Sequence, residues 1–99
     1  MKKELNVIIK EQANEEVVEA YEFYETKQVG LGEYFFNDFT NTIKAIQLSP
    51  NGFVKFYDFR QVRFSVFPFV IVYEVFENDL IIYAVFETHQ NPKKKVRKK

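Results

Sequence analysis

A chain of 99 residues is one domain's worth of sequence, and at this size folding buries only about two-thirds of the unfolded surface, so twelve Phe and six Tyr must supply much of the core. The absence of Cys excludes disulfides and thiolate metal sites, and a single histidine, His89, excludes a His-rich one. Formal net charge is zero, yet residues 93–99 hold six of the fourteen basic residues and leave residues 1–92 with eight basic against fourteen acidic, an acidic body with a basic tail.

Leu5 to Ile9 is a short β-rich run and the predicted first strand. Asn14 then precedes a helical pattern in which Val17, Ala20, Tyr21 and Tyr24 recur at i, i+3, i+4 and i+7. Glu15, Glu16, Glu19, Glu22 and Glu25 fill much of the remaining surface and read as a solvated face. Gly30-Leu31-Gly32 breaks the pattern and permits a tight helix-to-helix turn. A second helix follows, with Phe36, Phe39, Ile43 and Ile46 at helical spacing and Phe35 beside them. Leu48-Ser49-Pro50 ends it, because proline disfavours helical geometry in the residue before it.

Residues 50–59 form an aromatic connector. Val62, Phe64 and Val66 then alternate with Gln61, Arg63 and Ser65, the period of a half-buried strand. Phe67-Pro68-Phe69 separates it from a strand over Val70 to Phe76, and Asn78-Asp79 is the predicted two-residue hairpin turn. Leu80 to Phe86 is nearly all apolar, as for a central strand covered on both faces. The predicted class is α+β, in the order strand, two-helix antiparallel hairpin, three-stranded antiparallel meander (β-α-α-β-β-β). Residues 1–92 make up the domain, and residues 93–99 form a basic tail.

No apolar run approaches the roughly 20 residues that span a bilayer, and the N-terminus has too short an apolar stretch for a signal peptide. The expected setting is the cytoplasm, with no membrane partner. No Gly-rich nucleotide loop, metal-spaced His/Cys group or Ser-His-Asp signature is present, so no cofactor, metal or small-molecule substrate is expected. Metal-free cleavage of RNA needs a base, cations for the phosphate charge and an acid. The candidates are Arg60 and Arg63, assigned to one side of their strand, with Lys55 upstream and His89 after the last strand. Lys93, Lys94, Lys95 and Arg97 are candidates for contact with a target or nucleic acid. Phe53, Phe56, Tyr57 and Phe59 are a candidate partner-docking patch, with ordinary core packing as the simpler reading.

Several of these features stand in one order: Ala20 to Glu25 (A-Y-E-F-Y-E), Gly30-Leu31-Gly32-Glu33, L-S-P at Leu48 to Pro50, Arg63, F-P-F at Phe67 to Phe69, V-I-V-Y-E-V at Val70 to Val75, and N-P-K-K at Asn91 to Lys94. Together they resemble the RelE/ParE family of toxins from bacterial type II toxin–antitoxin systems, plasmid-stabilisation proteins among them. The resemblance covers nearly the whole chain. It implies a growth-inhibiting toxin silenced by a cognate antitoxin that wraps it with an extended or helical segment. RelE-like members cut mRNA on the ribosome, and ParE-like members act on DNA gyrase. Arg63 matches one basic position of the RelE-like site. Val70 and Gln90 stand where further arginines are expected, Val96 or the lysines where a C-terminal aromatic is expected, and Glu87 and Gln90 where ParE-like relatives carry His and Arg. A protein that docks on RNA neutralises phosphates with Lys and Arg, and this body is acidic. The resemblance therefore favours a ParE-like gyrase-binding toxin. A RelE-like endoribonuclease, or a member that has lost toxicity, is the alternative.

Overall fold

Eight consecutive strand-forming residues, Phe69–Phe76 (β4), make the axis of the sheet in the computed structural model, which describes residues 4–88. The remaining elements are β1 (Asn6–Ile9), α1 (Glu11–Lys27), α2 (Leu31–Leu48), β2 (Lys55–Phe56), β3 (Phe59–Arg63) and β5 (Asp79–Glu87). The sheet has five strands in the order β1-β5-β4-β3-β2. Neighbours are antiparallel except β1, which returns to lie parallel to β5, with Asn6 to Ile9 opposite Asp79 to Ile82. The predicted order of elements holds, with β2 as an addition of two residues.

The helices form an antiparallel hairpin on one face of the sheet. Ala13, Val17 and Ala20 of α1 and Phe35, Phe39, Ile43 and Ile46 of α2 are buried against Val62, Ile71, Tyr73, Leu80, Ile82 and Val85. The α2 stripe runs through Phe35, which is 0% exposed, while Phe36 is 39% exposed. The predicted stripe thus sits one residue off at its start, because Phe35, Phe39 and Ile46 lie closer to one helical line than Phe36 does.

The turn between the helices depends on two glycines. Gly30 takes φ +91°, a left-handed conformation costly for other residues. Gly32 lies against α1, where a Cβ would come within 2.7 Å of the Tyr21 carbonyl oxygen. The Glu25 carboxylate accepts hydrogen bonds from the Gly30 and Gly32 N–H groups at 3.0 and 2.9 Å. It thereby satisfies donors left open at the start of α2 and places negative charge at the positive end of its dipole.

Several features depart from the predicted ones. Helix α1 starts at Glu11, because the chain leaves the sheet at Lys10, whose N–H still donates to the Ile82 carbonyl; Asn14 lies inside the first turn, donating to Lys10. Strand β3 stops at Arg63, short of Val66. The N–H groups of Ser65, Val66 and Phe67 turn away to the buried carboxylate of Asp38, at 3.2, 2.8 and 2.8 Å. The β4–β5 turn is Glu77-Asn78, one residue early: Glu77 takes φ 56°, and Phe76 pairs with Asp79. Finally, β5 is not covered on both faces. Leu80, Ile82 and Val85 are buried under the helices, whereas Ile81, Tyr83, Ala84 and Phe86 are half-buried. Its alternation slips because Tyr73 pairs with Ile82 and Val72 with Ala84, leaving Tyr83 as a bulge that lets Val85 follow Ile82 into the core.

Candidate functional site

The pleat of β3 sends Phe59, Gln61 and Arg63 to the face away from the helices and Arg60 and Val62 towards them. This corrects the expectation that Arg60 and Arg63 share a side: an odd separation along a strand puts side chains on opposite faces. Arg60 is half-buried, and its Nη1 donates to the Phe53 carbonyl at 2.7 Å. Tyr73, its partner across the ladder, donates its hydroxyl to the Pro50 carbonyl at 2.7 Å. Both side chains hold the connector to the sheet.

Arg63 is exposed and forms no ion pair among the described residues. In register it pairs with Val70, and Val70 pairs with Phe86. The Arg63 end of β3 and the C-terminal end of β5 are therefore two strand spacings apart, about 10 Å. The meander does return as the sequence predicts. His89, Lys93, Lys94, Lys95 and Arg97 lie outside the described residues. The same face carries Tyr83, whose hydroxyl donates to Glu74 Oε1 at 2.9 Å and whose ring meets Phe59 edge-on at 5.2 Å.

The aromatic connector divides. Phe53 is half-buried against the core, and Phe59 is held by Tyr83. Phe56 and Tyr57, at 56% and 83% exposure, form the tip of the β2–β3 hairpin, ring to ring at 4.8 Å. The turn is tight because Tyr57 adopts φ 60°. Lys55 is exposed on the same edge strand, paired with Arg60. Among the described residues, no group of His, Cys, Asp and Glu side chains could hold a metal ion, and no helix is long and apolar enough to cross a membrane.

Three carboxylates have roles that local spacing does not reveal. Asp38 holds the 65–67 segment, Glu25 the inter-helix turn, and Glu16 Oε1 accepts the Val85 N–H at 2.7 Å. The last two belong to the glutamate row read as solvated. Only their position opposite an open backbone donor in the folded chain distinguishes them from Glu15 or Glu22.

Four phenols titrate above the ordinary value near 10. Burial raises Tyr73, opposed by the nearby Arg60 cation; burial and then Glu87 raise Tyr24; burial and then Glu33 and Glu25 raise Tyr21; the hydrogen bond to Glu74 is the first cause for Tyr83. A folded-state pKa above the unfolded one adds stability that is intact below about pH 10 and is lost as pH rises through the folded values. The urea midpoint is therefore expected to be lower at about pH 11 than at about pH 8, with tyrosinate absorbance rising in step with unfolding.

Sequence comparison with family models and with curated proteins gives no match. Comparison of structures gives a chain of the "Chromosomal ParDE TA system from P. aeruginosa", with a TM-score of 0.69 at 15% identity, covering 86% of this chain and 97% of that one. The strand, helical hairpin and meander assembled here are thus the ParE-like fold that the order of sequence motifs implies.

Proposed function

We propose that this chain is the toxin of a type II toxin–antitoxin pair, acts in the cytoplasm by binding DNA gyrase, and is neutralised by a cognate antitoxin. The observation that carries the toxin reading is the likeness in fold to a chain of a ParDE TA system over nearly the whole of both molecules. The gyrase target is favoured over RNA by charge. Residues 4–88 hold six basic side chains, Lys10, Lys27, Lys44, Lys55, Arg60 and Arg63, against fourteen acidic ones. Contact with RNA phosphates calls for the opposite balance. Arg60 is moreover committed to the connector, so the described part of the sheet offers one free arginine rather than a pair.

Tightly induced expression in a bacterial host, with and without the adjacent small open reading frame, tests the reading. Growth arrest relieved by the neighbour supports the pair; unchanged growth in a host with a sensitive gyrase rejects a working toxin. Inhibition of supercoiling by the purified chain then supports gyrase as the target.

One observation favours the second reading, a metal-free endoribonuclease: Arg63 is exposed, forms no ion pair among the described residues, and lies two strand spacings from the C-terminal end of β5. The substitution Arg63→Ala separates the two. A cation that stabilises a phosphorane-like transition state is worth roughly 100-fold or more in rate. On the gyrase reading Arg63→Ala leaves arrest intact and mRNA uncut. Loss of both arrest and ribosome-dependent cleavage, with the fold unchanged, transfers the assignment to the ribonuclease.

A further inference from the structure

A groove of about 540 Å³ runs between α1 and the C-terminal half of β5. Its apolar lining includes the rings of Phe23, Tyr24 and Phe69, and among the described residues its charged lining consists of Glu16, Glu19 and Glu87, with no Lys or Arg. Burial first, and then the Glu87 charge, raise the Tyr24 phenol above its ordinary pKa. The outer side of β5 also lacks a strand neighbour here among the described residues. β1 covers β5 only as far as Ile82, and the chain then turns into α1. Beyond that point no strand among the described residues lies on the outer side of β5, and the Glu16 side chain takes the Val85 N–H that a strand would otherwise take. An apolar groove beside an open sheet edge is a surface that an extended segment fills.

The chemistry of the lining selects the segment. An occupant must bring cations to three carboxylates and lay aliphatic stems along aromatic rings. Lys side chains do both. The pairing already occurs once at the margin of the groove, where Lys27 Nζ sits 4.9 Å from the centroid of the Phe23 ring. Residues 93–99, K-K-K-V-R-K-K, supply six cations around one valine. They are also close in the chain: Lys93 is six residues after Glu87, which lines the groove, a reach of up to about 20 Å. Tethering at that distance gives the segment a high effective concentration at the groove that no free peptide shares.

We propose that this groove is the docking site of the chain's own basic segment, residues 93–99. The segment neutralises the acidic lining and shields the rings, and any partner segment entering the groove must displace it. The inference stands independently of the toxin reading.

The chain has no cysteine, so Lys99→Cys gives a single site for a nitroxide spin label on the 99-residue chain. Amide signals of Glu16, Glu19, Phe23 and Glu87 are expected to lose most of their peak height, while those of the β2–β3 hairpin keep theirs. Raising the salt to ~0.5 M, which shortens the screening length to a few ångströms, is expected to restore the groove signals. Reversing the tail charges with Lys93→Glu, Lys94→Glu and Lys95→Glu is expected to do the same, with unchanged amide shifts of the core strands β4 and β5 as the internal control for the fold. Broadening centred elsewhere, broadening indifferent to salt and to charge reversal, or broadening that passes between labelled and unlabelled copies in a mixed sample would each overturn the proposal.

Discussion

Phe35→Ala is expected to remove about 3–5 kcal/mol of stability, most of what a domain of this size possesses. Phe35 is 0% exposed and lies at the centre of the aromatic core. Its ring centroid is 5.6 Å from Tyr24, 5.5 Å from Phe64, 5.5 Å from Phe67 and 5.0 Å from Phe69, so it joins both helices to the segment leading into β4. Truncation costs the transfer energy of a ring and leaves a cavity that large, mutually braced neighbours close poorly. Phe36→Ala is the matched control. Phe36 is 39% exposed and meets one ring, that of Phe39, at 6.0 Å. Its loss is expected to cost about 1 kcal/mol or less. Urea titrations of the two variants decide the matter: equal midpoints would mean that the core is not organised around Phe35.

That neighbouring pair also shows how far the sequence could be read. Periodicity located both helices and the strand through Val62, because a stripe at i, i+3, i+4 or an alternation at period two is written in a few adjacent residues, and apolar, β-rich runs located the other strands. It left the phase of α2 open by one residue, since Phe35 and Phe36 both fit a stripe until the sheet supplies a direction. The motif order supported the same succession of elements, but the return of β1 to lie parallel to β5 was not written in it. What stayed hidden is what depends on contacts distant in sequence. The pairing of Lys55-Phe56 with Phe59-Arg60 rests on a left-handed Tyr57 that nothing in an aromatic connector announces. The bulge at Tyr83 exists only relative to β4. Glu16 bonds Val85 from 69 positions away and is indistinguishable in sequence from its solvated neighbours. The candidate site was legible as a list of cations. It was not legible as a geometry, because Arg60 and Arg63 differ by an odd step along β3 and therefore divide between the two faces.

Asp38→Ala is expected to cost about 3 kcal/mol and to loosen one segment before it unfolds the rest. The Asp38 carboxylate is 4% exposed and receives three backbone N–H groups, from Ser65, Val66 and Phe67. Alanine removes the acceptor and leaves the donors in place. A buried donor without a partner costs roughly 1–3 kcal/mol, and the exposed side chains of Ser65 and Val66 allow water to recover part of that sum. Asp38→Asn keeps the shape and one acceptor oxygen while turning an amide N–H₂ towards a backbone N–H, so about half the loss is expected. The location matters for function. The segment held by Asp38 follows Arg63 directly and leads into Phe69, which lines the α1–β5 groove. Amide hydrogen exchange reads the effect at its source. In Asp38→Ala the Ser65, Val66 and Phe67 amides are expected to lose protection under conditions where Ile71 and Ile82 keep theirs. Unchanged protection at those three positions would show that the carboxylate is not what turns the chain away from β3. Loss of protection there while Ile71 and Ile82 stay protected would show that one buried acid holds the segment between Arg63 and Phe69.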